Sequence, residues 1–188
     1  MGNTVGRRDL VRHGIGLGVA LSFGPSLSLA QDNPASLRPQ EDDLLVRVDD
    51  PDLKPLTPGD ISIGRVQTMA WAMDPADKIV RNGSRLNRVL LVRLDADRLS
   101  PETQSRAAEG IVAYTAICTH TGCEVTDWLA DEQLLYCPCH FSRFDPKDGA
   151  RVIDGPAPRT LPALPLKLVD GTLAVAKPFT TRVAFEPA

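Results

Sequence analysis

The chain has 188 residues, of which 43% are hydrophobic and only 5% aromatic, with 14 glycines and 16 prolines. This length allows one domain with a substantial core plus a leader, and the turn-rich composition favours a β-rich domain over a helical bundle. The formal net charge is −3 and no long basic run is present. A nucleic-acid-binding protein, which needs a basic surface, is therefore excluded.

The first 30 residues have the composition of an export signal. Arg7 and Arg8 precede a glycine-rich apolar run over residues 15–30, which ends on a small-x-small site at residues 28–30. This order predicts a twin-arginine leader and a periplasmic protein that crosses the membrane already folded. The run contains a proline and is shorter than the ~20 residues of a spanning helix. We therefore expect cleavage, with retention as a membrane anchor as the alternative.

Residues 31–59 are polar and rich in proline, which predicts a linker with one short edge strand where apolar residues alternate at 44–48. From residue 60 onward the pattern is β-like, and we predict one domain over 60–188. Asn82-Gly83 predicts a type I′ hairpin, and Asp170-Gly171 predicts another between residues 166–169 and 172–175.

One helix is predicted within this β pattern. Ser100 suits the N-cap, Pro101 the first helical position and Gly110 the position after the end, so the helix would cover residues 102–109. It interrupts two apolar strands and has the character of a surface insertion. The sequence therefore predicts an antiparallel all-β domain with one short helix.

Two short boxes contain all four cysteines and two of the three histidines. The first, C-x-H-x-x-C, includes Cys118 and His120, and the second, C-x-C-H, includes Cys137 and His140. The segment over residues 125–136 has the pattern of a hairpin, which would carry both boxes to adjacent loop tips. A set of two thiolates and two imidazoles is the donor set of a Rieske-type 2Fe–2S centre, with two cysteines on one iron and two histidines on the other.

Two other interpretations of the boxes remain open at this stage. Four cysteines can form two disulfides without metal, which would leave the neighbouring histidines unexplained. The same side chains can hold a structural zinc, although zinc sites commonly use C-x2–4-C and H-x3–5-H pairs, and C-x-H does not match that spacing.

The two boxes, together with Gly155-Pro156-Ala157-Pro158, resemble the cluster loops and the proline loop of the Rieske family. The resemblance is close over residues 115–160 and loose over 60–178. It implies a Rieske fold of antiparallel sheets, with a cluster-binding subdomain at about 115–160. It also implies ligation of the buried iron by Cys118 and Cys137, ligation of the outer iron by His120 and His140, and a Cys123–Cys139 disulfide.

The resemblance also assigns roles to residues beside the ligands. Ser142 stands where high-potential members have a hydroxyl that donates to a cluster sulfur, and Phe144 stands where they usually have a tyrosine whose hydroxyl reaches a ligand sulfur. Since fewer donors mean a lower potential, we expect a potential below that of the quinol-oxidising members. Phe141 replaces a glycine that is common in the family and makes the rim beside His140 bulkier.

Two classes of Rieske protein compete. The leader, the site and Phe144 favour the small subunit of a periplasmic molybdenum oxidoreductase of the arsenite oxidase type. Such a subunit relays electrons between a large molybdopterin-containing subunit and a cytochrome c or cupredoxin. The alternative is the iron–sulfur subunit of a cytochrome bc-type quinol oxidoreductase. In both cases this chain alone has no substrate turnover, because the chemistry lies on another chain.

Overall fold

The computed structural model describes residues 33–183, so the predicted leader and its boundary at residue 30 lie outside the described residues. Within this range the chain forms ten strands and one four-residue α-helix, α1 (Pro101–Gln104). Four three-residue 3-10 helices cover Pro34–Ser36, Pro58–Asp60, Arg85–Asn87 and Ala96–Arg98. The strands are β1 (Leu44–Arg47), β2 (Thr68–Met73), β3 (Val89–Arg93), β4 (Ile111–Thr115), β5 (Asp127–Leu129), β6 (Leu134–Cys137), β7 (Ser142–Asp145), β8 (Arg151–Asp154), β9 (Leu166–Val169) and β10 (Thr172–Val175). The prediction of an all-β domain with one short helix is confirmed. No helix among residues 33–183 is long and apolar enough to cross a membrane.

The strands form two antiparallel sheets. One has six strands in the order β4-β3-β2-β1-β10-β9, and the other has four in the order β5-β6-β7-β8. The hairpin predicted between the two cysteine-containing boxes is confirmed as β5–β6, with Asp127 opposite Tyr136. The hairpin predicted at Asp170-Gly171 is also confirmed, and both turn residues have the positive φ that a type I′ turn requires.

Strands β3 and β4 are almost continuously apolar because they are covered on both faces. Side chains alternate along a strand, so Leu91 and Ala113 enter the core of the six-stranded sheet, while Leu90, Val112 and Tyr114 enter a second core. We call this second core the site core, because its buried members include both cysteines at the start of the two boxes.

Tyr114 connects the site core to the four-stranded sheet. Its ring is buried, and its hydroxyl donates a 2.8 Å hydrogen bond to the carbonyl of Pro146, in the turn between β7 and β8. Burial raises the pKa of this phenol above its usual range, so the hydroxyl stays protonated and remains a donor. The bond holds the turn after β7 against the strand that leads into the first box.

Strand β1 lies between β2 and β10, so the edge position predicted for it is wrong. Its Leu45 and Val46 are fully buried, which a polar linker would not provide. A buried ion pair holds the preceding segment: Arg81 Nε donates to Asp43 Oδ2 at 3.1 Å, and Arg81 Nη1 donates to the Pro34 carbonyl at 3.1 Å. Local pattern could not reveal this placement, because it depends on pairs far apart in the chain.

Two further local predictions differ from the structure. The helix ends at Gln104 instead of residue 109, because Glu109 and Gly110 both have positive φ and form a tight turn that pairs Ala108 with Ile111. The hairpin predicted at Asn82-Gly83 is wrong. Gly83 is not at positive φ and is packed against the segment around residue 35, where an added Cβ would lie 2.9 Å from the Ala35 carbonyl carbon.

Candidate metal centre

The two boxes lie on neighbouring loops at one end of the four-stranded sheet. The first follows β4, and the second begins at Cys137, the last residue of β6, and continues into the connection to β7, where Cys137 and Ser142 are opposite each other. A disulfide joins Cys123 to Cys139 across the two loops, as expected from the resemblance. Two of the four cysteines are therefore occupied with each other and are not available to bind a metal.

The other two cysteines remain thiols and share one buried site. Cys118 and Cys137 are each 1% exposed, and both belong to the site core. The interaction with Cys118 lowers the pKa of the Cys137 thiol, assisted by the backbone N–H groups of Cys139 and His140 and opposed by burial. The same interaction, together with burial, raises the pKa of Cys118. One thiol of the pair therefore loses its proton more easily than an isolated thiol does, which suits a site for thiolate ligands.

The two histidines lie together at the loop tips. Their ring centroids are 4.6 Å apart with an interplanar angle of 89°, and His140 is exposed while His120 is half-buried. Nδ1 of His120 is buried and has no hydrogen-bond partner among the described residues. Leaving a buried ring nitrogen without a hydrogen-bond partner destabilises a folded protein, unless a ligand binds that nitrogen.

The side chains of the two boxes match the donor set of a two-iron centre. A Rieske centre takes only two protein ligands on each iron. Two paired thiols and two adjacent imidazoles, one with an orphaned nitrogen, match that requirement.

Ser142 connects the second box to the proline loop. Its hydroxyl oxygen accepts a 3.2 Å hydrogen bond from the Ala157 N–H, and its side chain acts to lower the pKa of the nearby Cys118 thiol. Gly155, at φ +89°, lets the proline loop approach: a Cβ there would lie 2.5 Å from the Ser142 Cα. Sequence reasoning identified Ser142 but missed this close approach, although the Gly-Pro pair marked a special backbone position.

Two hydrogen bonds with residues of other segments also fix the first box. Thr119 donates its hydroxyl to the Arg159 carbonyl at 2.7 Å, and Arg85 Nη1 donates to the Gly122 carbonyl at 2.6 Å. Neither contact was predicted, because each joins residues more than 35 positions apart and no motif marks it. Together they fix the loop that presents His120.

Phe144 is completely buried in the site core with Cys118 and Cys137, on the same face of β7 as Ser142. It offers no hydroxyl to a nearby sulfur. We therefore expect Phe144→Tyr to raise the reduction potential by about 40 mV, the equivalent of one hydrogen bond worth about 1 kcal/mol. A redox titration measures this shift. Phe144→Leu is the matched control and should leave the potential within about 10 mV of the wild type; an unchanged potential in the tyrosine variant would refute the role assigned to the missing hydroxyl.

The fold and the site define a small all-β protein whose two boxes bring together two buried thiols and two adjacent imidazoles, the donor types of a metal centre. The model of the Rieske [2Fe-2S] domain matches residues 83–165. The Rieske iron–sulfur subunit of the cytochrome bc1 complex of Streptomyces lividans is 36% identical over 119 residues, which cover 62% of this chain and 70% of that protein. The chain therefore belongs to the Rieske family, and its cofactor is a Rieske-type 2Fe–2S cluster.

Two other similar proteins match a smaller part of this chain. A Haloferax mediterranei protein named as a respiratory nitrate reductase subunit Rieske is 42% identical over 87 residues, covering 46% of this chain and 39% of that one. The soluble domain of Rieske protein II from Sulfolobus acidocaldarius is 26% identical with a TM-score of 0.38, covering 47% of this chain and 61% of that chain. The names of the sequence relatives favour respiratory complexes and give no support to the arsenite oxidase type.

Proposed function

We propose that this chain carries single electrons through a cluster held by Cys118 and Cys137 on one iron and by His120 and His140 on the other. The observation that carries the proposal is the separation of the four cysteines into one disulfide and one pair of buried thiols, on the same two loops as two adjacent histidines. When bound, the cluster supplies a one-electron acceptor with a potential raised by its histidine ligands.

The chain's own residues provide the environment that electron transfer needs. The two thiols lie in the site core, away from water, so their hydrogen bonds act in a low dielectric. Backbone N–H groups of His120, Cys139 and His140 act to lower the pKa values of the two thiols, so they stabilise negative charge on the sulfurs. His140 is exposed, so it provides the edge at which an electron partner can approach.

We propose that the chain is a subunit of a quinol-oxidising complex of the cytochrome bc1 type. The relative named for that complex supports it, since the similarity covers 70% of that protein. A potential lowered by Phe144 would restrict the donor to a quinol of correspondingly low potential. The predicted twin-arginine leader would place the site on the periplasmic side, as either a cleaved signal or a retained anchor.

The small subunit of a periplasmic molybdenum oxidoreductase is the second candidate. The fully buried Phe144 favours it, because a subunit that only relays electrons does not need the potential of a quinol oxidant. In that assembly the partners would be a large molybdopterin-containing subunit and a cytochrome c or cupredoxin.

Purification of the tagged full chain from its native host distinguishes the two assemblies. We expect b-type haem to co-purify with it, together with quinol-dependent reduction of cytochrome c. Molybdenum in place of haem would support the second candidate. A cluster-loaded chain that co-purifies with neither would contradict both.

Replacement of Arg7 and Arg8 by lysine is expected to block export, and normal export of that variant would contradict the twin-arginine proposal.

A further inference from the structure

Phe141 has an unfavourable backbone conformation for its residue type. It is the last residue of the connection between β6 and β7, and its φ is +66°. It is the one aromatic residue among the non-glycine residues at positive φ that the structure describes. Bulky side chains rarely adopt this region, and glycine adopts it without cost. Strain of this kind persists where it serves a function, so the side chain at this position needs an explanation.

The exposure of Phe141 adds a second cost. The residue is 63% exposed, and its ring stacks on Tyr136, with ring centroids 6.2 Å apart and an interplanar angle of 22°. Folding therefore buries little of this ring. Neither backbone preference nor core packing accounts for a phenylalanine here, which indicates a contact outside this chain.

An apolar surface continues from Phe141 through Tyr136 to a groove at β5, the edge strand of the four-stranded sheet. Tyr136 lines a groove of about 620 Å³, together with Trp128 and Val66, and Val66 is 66% exposed. We call these four residues, Phe141, Tyr136, Trp128 and Val66, the apolar strip. It begins at the residue next to His140, the exposed edge at which an electron must enter or leave.

The charges along the apolar strip are balanced. Arg143, opposite Tyr136 in the register of β6 and β7, forms an ion pair with Glu132 at 3.5 Å. Arg65 and Asp127, of opposite sign, line the same groove. A surface without net charge selects a partner by apolar contact and does not steer it by long-range attraction.

We propose that Phe141 is a partner-recognition residue: its ring contacts an apolar surface patch on the redox protein that exchanges an electron at His140. The proposal rests on the proposed function, since it names the partner surface of the same site. Aromatic side chains at the centre of an interface commonly dominate binding, which would offset the strain and exposure that this residue has in the free protein. Tyr136 supports the ring by stacking, and the rest of the strip extends the contact.

The test uses the full, cluster-loaded chain, reduced and then mixed with soluble cytochrome c or with hexacyanoferrate(III). In Phe141→Gly we expect the second-order rate to cytochrome c to fall about tenfold, while the rate to the small inorganic oxidant stays unchanged. The iron content should equal that of the wild type, and the unfolding temperature should not fall, because glycine removes the strain. Phe141→Leu should retain most of the rate, and the loss should persist at high salt.

Leu168→Ala is the matched control, since Leu168 is an exposed apolar residue on β9 in the other sheet; its rates should equal those of the wild type. An unchanged cytochrome c rate in Phe141→Gly would overturn the proposal, as would an equal loss with hexacyanoferrate(III). A loss confined to oxidation of a soluble quinol analogue would assign Phe141 to quinol contact and overturn it as well. Failure of the proposed function is distinguishable, because the wild type would then hold no cluster or exchange no electron with either oxidant.

Discussion

Replacing either buried thiol, in Cys118→Ser or Cys137→Ser, is expected to abolish cluster binding. Each change removes half of the protein ligands from one iron, and a serine hydroxyl does not give up its proton to a bound metal as readily as a thiol does. The unpaired thiol that remains cannot hold the iron alone. The measurement is iron and acid-labile sulfide per chain, which we expect to fall to nearly zero in both variants.

The double variant Cys123→Ser/Cys139→Ser is the matched control for the first prediction. It also removes two cysteines, but from the disulfide and not from the thiol pair. The disulfide closes a loop with a sequence separation of 16. We therefore expect iron to be retained, with a loss of about 3 kcal/mol in the free energy of unfolding. Loss of iron in this variant with retention in Cys118→Ser would reverse the assignment of the four cysteines.

Gly155→Ala is expected to displace the proline loop and disturb the site. A Cβ at position 155 would lie 2.5 Å from the Ser142 Cα and 2.8 Å from the Ser142 nitrogen, and both are backbone atoms that cannot move aside easily. The loop must shift, and the hydrogen bond from the Ala157 N–H to Ser142 Oγ would be lost with it. We expect about 3 kcal/mol of destabilisation and a lower reduction potential. Chemical unfolding and a redox titration measure the two effects.

Gly149→Ala separates the steric clash from the backbone strain. Gly149 also has a positive φ, of +60°, but a Cβ there would meet nothing within 4 Å. This variant should lose only about 1 kcal/mol and keep the wild-type potential. Equal losses in the two variants would mean that strain alone explains Gly155 and that the close approach to Ser142 is unimportant.

Local sequence pattern predicted the parts of the fold that depend on neighbours in the chain. Asp170-Gly171 predicted its hairpin because a type I′ turn needs two residues that tolerate positive φ. The two boxes predicted the site because each pair of donors lies within four positions. The same local rule failed at Asn82-Gly83, where packing of Gly83 against a distant segment decides the conformation and no hairpin forms.

The remaining features depend on contacts between distant residues. The interior position of β1 follows from pairing with β10, which is more than 120 residues away, and from the buried pair of Arg81 and Asp43. The orphaned Nδ1 of His120 and the strained backbone of Phe141 are properties of the folded loops. The resemblance named the ligands, but only the folded structure shows which surface beside them is apolar and strained.

The central claim is that this chain holds a two-iron cluster on Cys118, Cys137, His120 and His140. The most direct measurement is the metal and sulfide content of the purified full chain, combined with a reductive titration followed by electron paramagnetic resonance. We expect two irons and two labile sulfides per chain, consistent with a 2Fe–2S cluster, and reduction by one electron to a paramagnetic state. A chain that holds one zinc and no sulfide, or that holds no metal and has all four cysteines in disulfides, would contradict the claim.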